Sequence, residues 1–177
     1  LTHDGYIKRQ PKDIYQAQRR GGRGISSMAT KDEDFVEELF VGSTHDYILF
    51  VTNLGRIYRL KGYQIYEGSR TSKGSNIVNM LPLQPDEKVT TMLRQSTSEE
   101  QDAFVTMITK KGLIKRTPLS QYANIRKSGL NAITFFEGDA LAWTRLTSGH
   151  DELIVATRNG QAIRFNEEDA RSVGRTS

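Results

Sequence analysis

An all-β, propeller-like fold is what this sequence predicts, and two observations carry the prediction. A nine-residue pattern recurs four times without a gap: L-T-H-D-G-Y-I-K-R from Leu1, V-T-N-L-G-R-I-Y-R from Val51, I-T-K-K-G-L-I-K-R from Ile108 and A-T-R-N-G-Q-A-I-R from Ala156. Its glycines, Gly5, Gly55, Gly112 and Gly160, lie 50, 57 and 48 residues apart. Around them stand short β-branched and aromatic runs of strand length. Units of this length holding four strands each describe blades set about an axis. A β-sandwich shares the strand spacing but has no need of such a repeat.

Within each unit the elements follow in a fixed order. Y-I-L-F-V-T from Tyr47, A-F-V-T-M-I-T from Ala103 and E-L-I-V-A-T from Glu152 read as strands. Two turn-type residues and a Gly then supply a tight turn with a positive φ. R-I-Y-R-L from Arg56 and L-I-K-R-T from Leu113 form the return strand. A second anchor follows 14 to 19 residues after each hairpin Gly, in R-G-G-R-G-I, S-K-G-S-N-I-V, K-S-G-L-N-A-I and S-V-G-R-T-S. The third is an acidic turn with an apolar strand: E-D-F-V-E-E-L-F-V, D-E-K-V-T-T-M-L and G-D-A-L-A-W-T-R-L. The units accordingly run 1–46, 47–102, 103–151 and an incomplete 152–177, expected to be an arc of a longer ring. Thr30 with Glu33 forms a capping-box pattern, and the stretch from Pro118 is expected to hold a turn of helix.

Composition narrows the chemistry. No apolar run approaches the roughly 20 residues of a membrane-spanning helix, and no charged-then-apolar leader opens the chain. The absence of Cys excludes disulfides and thiolate metal sites and points to a cytoplasmic setting. The formal net charge of +4 is unevenly placed. Residues 1–24 carry Lys8, Arg9, Lys12, Arg19, Arg20 and Arg23 against Asp4 and Asp13, while the other 153 residues hold 19 basic and 19 acidic side chains.

Catalytic patterns fare poorly. The pairs His3-Asp4, His45-Asp46 and His150-Asp151 suggest a base with its orienter, but each falls in a turn and the repeat spreads them over different units. Three His without Cys offer no zinc spacing. Ser72-Lys73-Gly74-Ser75 lacks the upstream Gly of a phosphate loop. The acidic stretches Asp32-Glu33-Asp34 with Glu37-Glu38, and Glu99, Glu100 with Asp102, read as solvated faces.

The basic residues behave differently. Each hairpin places an arginine in one column, Arg9, Arg59, Arg116 and Arg164, and further cations follow near the second anchor at Arg70, Lys73, Arg126 and Lys127. Positive charge repeated once per unit is expected to line the rim of the arc and to suit a polyanion of regular charge, such as duplex DNA. Gln18-Arg19-Arg20-Gly21-Gly22-Arg23-Gly24 is the densest cluster. Its glycines let backbone approach a phosphate and its guanidinium forks bind phosphate oxygens in pairs.

Together these residues resemble the C-terminal domain family of the DNA gyrase A subunit. The heptapeptide from Gln18 to Gly24 matches every position of that family's signature, the gyrase-A box, and the repeated hairpins match its β-pinwheel blades across the whole chain. The resemblance implies about six blades in a full domain. It also implies non-sequence-specific wrapping of duplex DNA, through which the rest of an ATP-hydrolysing type II topoisomerase introduces negative supercoils. It implies partnership, in an A2B2 enzyme, with the B subunit as well as with the remainder of the gyrase A chain. No catalytic residue and no cofactor are expected in this chain, ATP and Mg being used elsewhere in the enzyme. The homologous domain of topoisomerase IV, whose box is typically degraded, is the nearest alternative. A propeller-like protein-interaction module is the alternative of a different class.

Overall fold

The computed structural model describes residues 1–14, 28–30, 33–96 and 102–177. Among these residues eleven strands follow in order: β1 (Tyr6–Ile7), β2 (Tyr47–Thr52), β3 (Arg56–Lys61), β4 (Ser75–Asn76), β5 (Val89–Gln95), β6 (Phe104–Thr109), β7 (Ile114–Pro118), β8 (Leu130–Asn131), β9 (Leu141–Thr147), β10 (Glu152–Ala156) and β11 (Ala162–Asn166). No α-helix occurs among the described residues. Short 3₁₀ turns do, at Lys12–Ile14, Gly62–Gln64, Ile77–Asn79, Leu119–Tyr122 and Glu167–Asp169. The turn after Pro118 is the one the sequence predicts. The capping box at Thr30 and Glu33 runs through residues 31 and 32, outside the described residues.

The recurring columns have a local cause. The amide of each hairpin Gly donates to a Thr carbonyl three residues back, at 3.0 Å for Gly5–Thr2, Gly55–Thr52, Gly112–Thr109 and Gly160–Thr157. Each Thr hydroxyl oxygen also accepts from the residue after the Gly: Tyr6, Arg56, Leu113 and Gln161. The turn closes with the Gly at φ between +73° and +85°, a region that costs other residues about 1–2 kcal/mol. Thr and Gly are therefore two halves of one turn, which is why they repeat together.

The sheets do not coincide with the sequence repeats. β2 pairs antiparallel with β3 across the hairpin and with β5 from the same unit. The fourth strand of that sheet is β8, supplied by the following unit, with Arg56 opposite Asn131 and Ile57 opposite Leu130. β4 joins β1 in the same way, Tyr6 opposite Asn76. Arg9 and Arg116 extend these junctions by parallel bridges to Glu67 and Ser172. A unit read from the sequence as holding four strands of its own thus lends one to the unit before it.

This exchange leaves the inner strand buried on both faces. Ile48 and Phe50 of β2 pack with Leu1, Ile7, Ile77, Leu81 and Met92 towards the first unit. Leu49 and Val51 of the same strand pack with Val105, Met107, Leu119, Tyr122 and Ala132 towards the third. Such a strand loses the alternation of a half-exposed one and reads as a continuous apolar run. Burying Phe50 completely contributes roughly 2–3 kcal/mol over leaving it in water.

Asp34 belongs to the interior rather than to a solvated face. One of its carboxylate oxygens accepts from the Asp4 and Phe35 amides. Asp139 takes the same place in the third unit, accepting from Lys111 and Ala140. Burial by itself would raise both carboxyls. The amide donors, with Thr2 and Thr109 beside them, outweigh it and hold both below their ordinary value. Each acidic turn is thereby pinned to its unit's hairpin.

Candidate nucleic-acid interface

The loops ahead of the second anchor present cations at the corners of tight turns. Ser72 donates its amide to the Ser69 carbonyl at 3.1 Å, placing Arg70 at an exposed corner. Gly129 closes the equivalent loop onto the Arg126 carbonyl at 2.9 Å, with Lys127 at the corner. Lys73 is half-buried, its ammonium 3.7 Å from the centre of the Tyr6 ring. Gly74 and Gly129 are required by close approach. A Cβ on Gly74 would lie 2.5 Å from the Ile7 carbonyl oxygen, and one on Gly129 would lie 2.7 Å from the Tyr58 ring. Each loop is therefore seated directly on the preceding unit.

The column arginines divide between backbone contacts, ion pairs and one internal position. Three of them reach forward to the carbonyl that ends the next unit's 3₁₀ turn: Arg9 Nε to Ile65 at 2.8 Å, Arg59 to Ala123 at 2.8 Å, and Arg116 Nε to Ala170 at 3.2 Å. Arg9 adds an ion pair with Glu67 at 2.7 Å, and Arg59 lies over the Tyr47 ring. Arg116 must be corrected from a rim cation to an internal one. It is 8% exposed and packs on the Phe104 ring. It pairs at 3.4 Å with the fully buried Glu167, which also accepts from Thr147, Gly149 and Asp151. A guanidinium committed to a buried carboxylate is not available to a solvent-borne phosphate. Arg164, in the last unit, is largely exposed and pairs with Glu152 across its own hairpin. The box, Gln18 to Gly24, lies outside the described residues.

Two lysines of one column have a role that the sequence does not show. Lys8 donates from its ammonium to the carbonyls of Ser69, Arg70 and Ser72, at 2.8, 2.9 and 2.8 Å. Lys115, in the same column two units on, donates to those of Ala132, Arg175 and Ser177. Its position three residues after the hairpin Gly was readable, but unit two carries Tyr58 there and unit four Ile163, so the column shows no charge pattern.

Other candidates fold into turn structure. Asp46 and Asp151 accept from the Ser43 and Ser148 amides, closing equivalent turns. His3 pairs with Glu37 and His150 with Glu168, in different units and far from any nucleophile–base arrangement. Among the described residues no group of three or more His, Asp or Glu is placed to hold a metal ion. No helix among them is long and apolar enough to cross a membrane.

Small antiparallel sheets that exchange strands between successive units define a propeller-type domain with cations at its turn corners. The profile of the family described as the DNA gyrase C-terminal domain, beta-propeller, matches residues 1–43, 46–96, 103–148 and 151–177, and the chain belongs to that family. It is similar to the A subunit of DNA gyrase from Clostridium acetobutylicum, 52% identical over all 177 residues, which cover 21% of that protein. The chain thus spans about a fifth of this relative's length. A structure of the DNA gyrase A C-terminal domain superposes with a TM-score of 0.72 at 28% identity, covering 99% of this chain and 56% of that one. The C-terminal domain of DNA topoisomerase IV superposes with a TM-score of 0.80 at 27% identity, covering 99% and 53%. The two shapes do not separate the homologues, whereas the sequence relative at 52% identity belongs to gyrase.

Proposed function

We propose that this domain binds duplex DNA without regard to sequence and wraps it around its rim. On this reading it serves the A chain of a cytoplasmic, ATP-dependent DNA gyrase. Its partners are the rest of that chain together with the B subunit, and it needs no cofactor of its own. The carrying observation is the placement of Arg70, Arg126 and Lys127 on turns of consecutive units, with the box as the densest charge in the chain. Such groups contact phosphate and position a duplex without reading its bases.

Bending about 40 base pairs through about 180° costs on the order of 10 kcal/mol for a persistence length of about 150 base pairs. The wrap must therefore be offset by contacts along the whole arc. Charge-assisted hydrogen bonds contribute roughly 1.5–3 kcal/mol each, so three box arginines carry enough to decide between bent and straight. Replacing Arg19, Arg20 and Arg23 by Ala is expected to abolish compaction of an end-labelled duplex while leaving salt-dependent binding. For about six neutralised phosphates, log K should fall with log salt at a slope near −5. A flat salt response, or sequence-specific binding, contradicts the reading.

A further inference from the structure

We propose that Lys8 is a positioning residue for the loop of residues 69–74, holding it from behind so that Arg70 and Lys73 face a phosphate backbone. The proposal rests on the DNA-binding reading for its ligand, and on the geometry of the loop for the rest. The Lys8 ammonium has three N–H donors, and three carbonyls of one turn accept them, those of Ser69, Arg70 and Ser72. Its charge is spent inside the loop, where it holds three carbonyl dipoles converging on one point. Without a cation there, those dipoles repel and the turn is left with the Ser72 amide and hydroxyl bonds to the Ser69 carbonyl.

The rest of the loop is tied to the same strand. The Arg9 amide donates to the Tyr66 carbonyl and the Gly68 amide to the Arg9 carbonyl, both at 3.1 Å. At the far end Gly74 is seated on the Ile7 carbonyl. Residues 7 to 9 of one unit thus grip both ends and the middle of the next unit's loop. Lys115 repeats the arrangement, reaching the carbonyls of Arg175 and Ser177 in the corresponding loop of the fourth unit. Recurrence two units away marks the ammonium as part of the design of the repeat. In unit two, Arg56 donates to the Ser128 carbonyl instead, and the Tyr58 ring lies against Gly129.

The test uses the full chain, a duplex of arbitrary sequence and a range of salt. Lys8→Met keeps the length of the side chain and removes the ammonium. It is expected to flatten the plot of log K against log salt by about 2, one for each loop cation displaced. Arg70→Ala with Lys73→Ala should do the same, and the triple variant should be no flatter than that double. A triple variant flatter by a further unit means that Lys8 itself meets a phosphate, and the proposal fails. Hydrogen exchange of amides 68–74 should quicken in Lys8→Met while β2 stays protected, and unchanged loop exchange also overturns it. Should wild-type protein bind no duplex, the functional reading falls, and loop exchange alone decides the role of Lys8. Should Lys8→Met fail to fold, Lys8→Arg replaces it. A planar guanidinium retains the charge but does not match three converging carbonyls, so the same flattening is expected, and wild-type binding by Lys8→Arg refutes the inference.

Discussion

Gly55 and Gly112 share one column of the repeat and nearly one backbone, with φ of +73° and +85°, yet their surroundings differ. A Cβ on Gly55 would lie 2.7 Å from Ile133 and 2.9 Å from the Phe135 ring, whereas nothing lies within 4 Å of one on Gly112. Gly112→Ala should therefore cost only its left-handed conformation, about 1–2 kcal/mol. Gly55→Ala adds overpacking against the third unit and should cost about 3 kcal/mol in total. Urea denaturation of the two variants measures the difference, and equal losses would mean that Ile133 and Phe135 give way freely. The glycine column is legible because the backbone demands it in every unit, whereas the neighbours of Gly55 arrive from 78 and 80 positions further along the chain. The arginine column teaches the converse. A guanidinium fork suits a phosphate and a backbone carbonyl alike, so a regular column of Arg does not reveal which it meets.

At the scale of elements, each return strand governs the loop of the next unit, and β7 shows what this does to a charged side chain. Lys115 is buried, and desolvation, with the positive charge of Arg175 beside it, lowers its pKa from 10.5 to about 8. A base that is weaker folded than unfolded releases its proton first in the folded state. Stability should then rise as pH increases from about 8 towards 10.5, because the unfolded chain still holds the proton there. Below pH 8 both states are protonated and the cost of burying the charge is constant. Tyr58 works in the opposite sense but later. Burial and the Glu87 carboxylate raise its pKa from 10.0 to about 12, so its contribution declines only above pH 10. The expected observation is a urea midpoint that climbs between about pH 8 and pH 9.5 and loses that climb in Lys115→Met. An unchanged slope in the variant would place the titration elsewhere.

At the scale of the molecule, exchanged strands join neighbouring units more tightly than stacking alone. β8 completes the sheet of β5, β2 and β3, and β4 completes that of β1, so removing a unit opens an edge on its predecessor. Repeat proteins whose units meet only at faces can unfold piecemeal. Here the described units should unfold together. The chain has a single tryptophan, Trp143, in β9 of the third unit. Its fluorescence should report the same urea midpoint as far-UV circular dichroism of the whole chain, and an earlier or later Trp143 transition would show that the third unit melts independently.

What the sequence determined by itself is local and repetitive: the hairpin turns, the blade class and the family resemblance, whereas the strand expected over E-D-F-V-E-E-L-F-V is reduced to one bridge from Val36 to Thr2. What was legible follows from φ requirements and short hydrogen bonds that lie within about ten residues and recur in every copy. The apolar run of β2 was legible for the same reason, since burial on both faces needs no knowledge of which residues face it. The tertiary structure decided what crosses between units and what turns inward. Only there does β8 pass to the preceding sheet, Asp34 enter the interior, Arg116 turn to Glu167, and Lys8 close on the loop that carries Arg70. Each of these contacts joins residues 30 or more positions apart, and at that separation partner choice is set by packing and desolvation rather than by the residue's own chemistry.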